Sequence, residues 1–159
     1  MNPDDTEEYI SRIVKQYSAM LLHLSASRLD SPADAEDAVQ EAFLKLLTAA
    51  PVFRDAEHEK AWLIRTTLNI AYDYRRRTAT RNQVPLEDDQ ATSPQPEISP
   101  LLSAVRALPD KYSAVIHLHY YEGYSINEIA KLLGLLPPTV GTRLARGRKQ
   151  LQQLLKEDL

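Results

Sequence analysis

The sequence predicts an all-α chain: two small helical domains joined by a flexible linker. Three observations predict it. Apolar residues recur at three- and four-residue steps over residues 7–77 and again over 101–155, with no strand-like alternation. Both blocks carry helix-cap signatures. Between them, residues 78–100 read TATRNQVPLEDDQATSPQPEISP, with four prolines, few apolar residues and the acidic cluster Glu87-Asp88-Asp89. Such a stretch buries too little surface to offset its ordering entropy. The predicted boundaries are 1–80, 81–99 and 100–159.

In the first block the best-defined helix spans 32–47. Ser31 caps it, Pro32 takes the first position and Asp34 closes the box. Ala35, Ala38, Val39, Ala42, Phe43, Leu46 and Leu47 define its buried face. The opposite face carries Asp34, Asp37, Gln40, Glu41 and Leu44, so one apolar side chain points away from the core.

The next helix is expected over about 59–77, with Ala61, Ile64, Leu68 and Ala71 inward and Tyr72 at the edge. Trp62, Arg65, Asn69, Asp73 and Arg76 share another face, and Arg75-Arg76-Arg77 closes the helix, where cations suit the macrodipole. Aromatic rings that stack on bases, guanidinium groups that neutralise phosphate and an amide that reads base edges suit single-stranded or opened DNA. Trp62 alone fits a core role equally well.

Behind the linker, Ser99 and Pro100 read as the cap and first residue of a new helix. Residues 125–155 then read SINEIAKLLGLLPPTVGTRLARGRKQLQQLL. Ser125 and Glu128 have capping-box spacing, and Tyr124 and Ile129 that of a hydrophobic staple. Ile129, Ala130 and Leu133 point inward, Gly134 leaves the helix with positive φ, and Leu135 plugs the turn. Val140 and Leu144 pack the second helix back onto the first. That helix carries Arg143, Arg146, Arg148 and Lys149 with no acid before Glu157. A basic helix held on a helix-turn-helix scaffold has the layout that enters a DNA major groove.

Composition narrows the function classes. The chain has 159 residues, a formal net charge of −3 and no cysteine, which excludes disulfides, thiol redox switching and cysteine-based zinc sites. No apolar run approaches the roughly 20 residues needed to cross a bilayer, and no leader pattern is seen, so a cytoplasmic protein is expected. Acids dominate residues 1–50, whereas bases cluster at 75–81 and 143–149. This polarity points to two partners, nucleic acid on the basic helices and a protein on the acidic surface. His117 and His119 are expected at the core edge and surface, without a metal. No phosphate loop or acid–base pair is recognised, so no enzyme, cofactor or small-molecule substrate is expected.

Three ordered segments resemble bacterial RNA polymerase sigma factors of the extracytoplasmic-function (ECF) group. SPADAEDAVQEAFLKLL resembles the core-binding helix of the second conserved region, AWLIRTTLNIAYDYRRR the segment that melts and reads the downstream promoter element, and residues 107–155 the fourth region. The family's first and third regions are not recognised. The resemblance implies that Asp37, Gln40, Glu41 and Leu44 dock on core polymerase. It implies that Arg65, Asn69, Tyr72, Asp73, Arg76 and Arg77 contact the downstream element, with Asp73 orienting a neighbouring arginine. A flipped base would fall within the loop 51–59, whose pocket residues the sequence does not single out. Thr139, Thr142, Arg143, Arg146 and Lys149 would contact the upstream element. A dedicated anti-sigma factor, in this group often membrane-bound, is a further implied partner. The chain departs from the family at LPPTVGTR, where Gly141 stands in place of an expected base-contacting side chain; close packing is one explanation for Gly147.

Two other readings use the same motifs: a stand-alone helix-turn-helix regulator, and a sigma-like adaptor. The first needs a sensory sheet or ligand pocket, and neither is visible in the sequence.

Overall fold

The structure is a computed structural model that describes residues 3–81 and 99–157. Seven α-helices make up the described residues: α1 (Pro3–Ala26), α2 (Pro32–Ala49), α3 (Ala56–Arg81), α4 (Pro100–Ala107), α5 (Asp110–Ile116), α6 (Ile126–Leu133) and α7 (Pro137–Glu157). A π-helical stretch, His117–Tyr121, continues α5. No strand occurs among the described residues. The predicted linker falls almost wholly outside them.

α1, α2 and α3 form the first body. Ile13, Tyr17, Leu21 and Leu24 of α1 meet Val39 and Leu46 of α2 and Leu63, Ile64 and Leu68 of α3 in the core. The expected inward stripe Ala61, Ile64, Leu68 and Ala71 is buried throughout. Glu59 is buried with them, accepting hydrogen bonds from Tyr9 (3.0 Å), Tyr17 (3.3 Å) and Arg12 (3.2 Å). These partners satisfy a carboxylate that would otherwise be costly to bury. Burial, then the Glu59 bond, pushes the Tyr9 hydroxyl up to about 12.

Caps set the helix ends. Ser31 Oγ accepts from Asp34 N–H at 3.3 Å, and Pro32 opens α2; of the expected box the structure has this arm. α3 starts at Ala56, earlier than 59, because Asp55 is its cap: His58 N–H donates to Asp55 Oδ1 at 2.8 Å. α2 ends on Ala50 with φ 44°, a left-handed conformation for a non-glycine residue, whose N–H donates to Leu46 O. Leu47, expected inside, is 44% exposed, and Phe43 is partly buried. Leu46 in the same turn is buried, so the face decides: Leu47 lies three residues on from Leu44, at the edge of the outward stripe.

α4–α7 form the second body. Ser99 and Ser125 cap α4 and α6, the latter in a complete capping box with Glu128. Gly134 has φ 68° and closes α6 as expected. Leu132, not Leu133, is the deeper residue of α6, and Leu133 is partly buried. The reason is that α6 packs on both α7 and α3 and so hides two faces. Pro137 and Pro138 open α7 and leave it intact, since the first helical N–H groups have no intrahelical acceptor. Gly147 lies under Ile116, where a Cβ would come within 3.0 Å of Cγ1.

The two bodies share one continuous apolar core. Four arginines stitch the seam. Arg28, from the α1–α2 corner, donates to Val105, Arg106 and Leu108 carbonyls and to Asp110. Arg75 donates to the carbonyls of Arg28 and Arg106, and Arg106 returns a bond to Ala26 O. Arg65 of α3 reaches the last carbonyls of α6.

Candidate nucleic-acid interface

Three surfaces hold the residues singled out above. On α2, Asp37, Gln40 and Leu44 are exposed and Glu41 is half-buried. Leu44 is 60% exposed within this carboxylate stripe, and Leu47 adjoins it one turn on. An apolar tip ringed by acids suits a protein partner with a basic, partly apolar surface. Tyr74 of α3 borders the stripe, packed against the small core cluster that includes Ala38 and Ala42 of α2. Burial first, then Glu41, Asp37 and Asp34, raises its hydroxyl above the ordinary value. Arg77 lies over its ring at 5.5 Å. Tyr74 and Leu47 were not among the expected site residues; Leu47 sits where simple periodicity assigns it to the core.

On α3, Asn69, Arg76 and Arg77 are exposed, and Asp73 pairs with Arg76 one turn along. The Asp73 carboxylate thus faces the Arg76 guanidinium on the exposed side of α3. Tyr72 is half-buried: burial, then Asp110, pushes its hydroxyl up to about 12, with Arg28, Arg143 and Arg75 acting in the opposite sense. Tyr72 thus lies within the field of Arg143 on the other body. Arg65 is not a free cation. Its Nε donates to Leu132 O at 2.7 Å and its Nη2 to Lys131 O at 3.0 Å.

The loop before α3 carries an aromatic cluster that the sequence did not single out. Phe53 packs edge-on against His58 (5.2 Å) and Trp62 (6.1 Å). Trp62 is partly buried there, between its two expected roles. Arg54 N–H donates to His58 Nδ1, which ties the loop to the helix, and Val52 beside them is 90% exposed. A rigid aromatic floor next to an exposed loop can receive an unstacked base.

On α7, Thr142, Arg146 and Lys149 are exposed along one stripe. Thr139 and Arg143 are half-buried at its edge. Arg148, off this stripe, donates to the Tyr120 hydroxyl at 2.8 Å. Nothing lies within 4 Å of the Gly141 Cβ direction, so that position leaves open surface on the helix. His117 is buried and His119 Nδ1 donates to Tyr124 O at 2.8 Å. Among the described residues, no group of His, Asp and Glu side chains has metal-ligand geometry, and no helix is long and apolar enough to cross a membrane.

A basic helix-turn-helix combined with a second helical body that presents an acidic, apolar-tipped helix defines a two-module transcription protein. Residues 13–81 match the family Sigma-70 region 2, and residues 98–151 match Sigma-70, region 4. The ECF RNA polymerase sigma factor SigM of Mycobacterium tuberculosis is 30% identical over 149 residues, spanning 91% of this chain and 76% of that protein. SigE of Mycolicibacterium smegmatis is 30% identical over 155 residues, and the chain spans 60% of its length. The solved structure of CnrH in complex with the cytosolic domain of CnrY aligns with a TM-score of 0.70 and 27% identity, over 96% of this chain and 91% of that one. The chain belongs to the ECF sigma factors of RNA polymerase.

Proposed function

We propose that this chain is an initiation factor that binds core RNA polymerase, opens the promoter and starts transcription at defined sites. In this reading residues 1–80 dock on polymerase and handle the downstream element, 81–99 link, and 100–159 hold the upstream element. The observation that carries it is Leu44, 60% exposed between Asp37, Gln40 and Glu41 on α2. With Leu47, 44% exposed one turn on, it makes an apolar patch rimmed by carboxylates, the arrangement expected of a protein-docking surface.

Arg76, Arg77 and Asn69 contact the downstream element, with Asp73 fixing the Arg76 guanidinium; Arg65 and Tyr72 join them. The Phe53–His58–Trp62 cluster receives an unstacked base. On α7, Thr142, Arg146 and Lys149 face the groove and phosphates, flanked by Thr139 and Arg143. With Gly141 in the recognition turn, phosphate contacts carry more of upstream binding than base contacts. The factor works by binding energy and catalyses no reaction, and it needs no cofactor. CnrH, a structural neighbour, is solved bound to CnrY; a protein inhibitor of anti-sigma type is the corresponding partner here. The cytoplasm is its place of action, with sequestration at the membrane if that inhibitor is anchored there.

In vitro transcription is the test. Purified core polymerase plus this chain should start at discrete sites on genomic fragments. A stand-alone regulator would bind DNA tightly by itself and leave core polymerase inactive.

A further inference from the structure

We infer that α7 reads the upstream element through an apolar leading edge, and that the group it selects is the C5-methyl of thymine. This rests on the proposed function, in which α7 enters the DNA groove, and adds what it recognises there.

The start of α7 lacks the usual polar parts. Leu136 O accepts from Val140 N–H at 3.2 Å, which makes Leu136 the cap residue. Cap positions favour Ser, Thr, Asp and Asn, whose side chains satisfy the first free N–H groups. Here the cap is a leucine, and it is 72% exposed. Pro137 and Pro138 follow, both exposed, and neither carries an N–H. A helix N-terminus ordinarily offers a row of N–H donors to phosphate. This one has lost two of them and presents hydrocarbon instead.

The turn holds that edge outward. Gly134 has φ 68°, Leu135 N–H donates to Ala130 O at 2.9 Å, and the Leu135 side chain packs on the core. Val140 and Leu144 are buried and hold α7 by its inner face. Helical spacing puts Pro138, Thr142 and Ala145 on the opposite side, and all three are exposed. Nothing lies within 4 Å of the Gly141 Cβ direction, so a base edge can approach the backbone beside them.

These first turns also lack the side chains that read other bases. Guanine is read by Arg or Lys, and adenine by Asn or Gln. On α7 no Asn or Gln precedes Gln150, Arg143 is half-buried, and the first exposed cation is Arg146, in the third turn. The N-terminal residues of a recognition helix are the ones that reach base edges. Here they carry leucine and proline carbon and the methyls of Thr142 and Ala145. The major-groove group that suits such a surface is the thymine methyl. Arg146 and Lys149, further along α7, supply phosphate contacts that set the register without selecting sequence.

The test removes only that methyl. A promoter at which core polymerase and this chain start transcription is rebuilt with deoxyuridine for thymine across the upstream duplex that the complex protects. Affinity of the polymerase complex should fall about fourfold per contacted thymine, the worth of one buried carbon. The same exchange in the unprotected flank should change nothing. Leu136→Ser installs a better cap, so the melting temperature should rise while the deoxyuridine penalty shrinks about fourfold. A purely structural role for Leu136 would not move that penalty. Thr142→Ser keeps the hydroxyl, removes the methyl and should shrink the penalty likewise. Equal affinity for the thymine and deoxyuridine promoters, or a penalty undiminished in both variants, overturns the methyl reading and leaves the initiation function standing. Failure of core polymerase to start at any discrete site with this chain overturns the proposed function, and this inference falls with it.

Discussion

Gly147 of α7 sits beneath Ile116 so closely that a Cβ on the glycine would lie 3.0 Å from Ile116 Cγ1 and 3.2 Å from its Cδ1. Tyr112 Cβ, at 3.3 Å, blocks the other side. Alanine there would gain about 1 kcal/mol of helix propensity. Overpacking a filled core costs about 1–3 kcal/mol, and Ile116 is itself buried in that core. Gly147→Ala should therefore lower stability by about 1 kcal/mol net. Gly141→Ala, on the same helix with nothing within 4 Å, should raise it by about 1 kcal/mol. Urea unfolding of the pair checks both signs.

Ala50 ends α2 with φ 44° and ψ 53°. An L-residue with a Cβ in the left-handed region costs about 1–2 kcal/mol, and glycine avoids this at some cost in unfolded-state entropy. Ala50→Gly should stabilise the chain by about 0.5 kcal/mol, read as a higher melting temperature with an unchanged denaturant slope.

His117 brings a pH dependence. Burial, reinforced by nearby His23, lowers its pKa from 6.5 to about 4. Its ring stacks on Tyr121 (4.9 Å) and its Nε2 lies 3.2 Å from Glu122 Oε1. The native state holds the neutral ring, so the unfolded chain binds the extra proton between these values. This contribution is complete above about pH 6.5 and is lost as pH falls toward 4. By pH 5.5 the loss should be about 1.4 kcal/mol. Burial also raises the carboxyl of neighbouring Glu122, so the comparison is with His117→Gln. That variant should lose less stability between pH 7.5 and 5.5 than the parent.

Leu44→Asp should leave thermal stability within about 0.5 kcal/mol, because the side chain is 60% exposed. Affinity for core polymerase should fall at least about tenfold, as for a central apolar anchor. Asp37→Lys should weaken binding with a stronger dependence on salt. Titration calorimetry of each variant against core enzyme decides it.

Arg146→Ala removes an exposed cation from the outer stripe of α7. Binding of promoter and unrelated duplexes should weaken alike, and the slope of log affinity against log salt should shrink by about 1. Selective weakening on one sequence would instead mark Arg146 as a base reader.

The sequence by itself determined the helices, most of their ends and the helix-turn-helix. Ser31, Ser99, the Ser125–Glu128 box and Gly134 each act through local hydrogen bonds or backbone freedom, so their signals lie within a few residues of where they operate. The acidic stripe around Leu44 and the outer face of α7 were legible for the same reason: helical spacing alone decides which residues share a face. Only the tertiary structure decided that Leu132 is deeper than Leu133, that Leu47 is exposed, and that Phe53 and His58 join Trp62. It alone revealed that Arg28, Arg65 and Arg75 belong to a seam. Their acceptors are mostly backbone carbonyls distant in sequence, and every residue type carries a carbonyl, so no pattern of side chains announces the pairing.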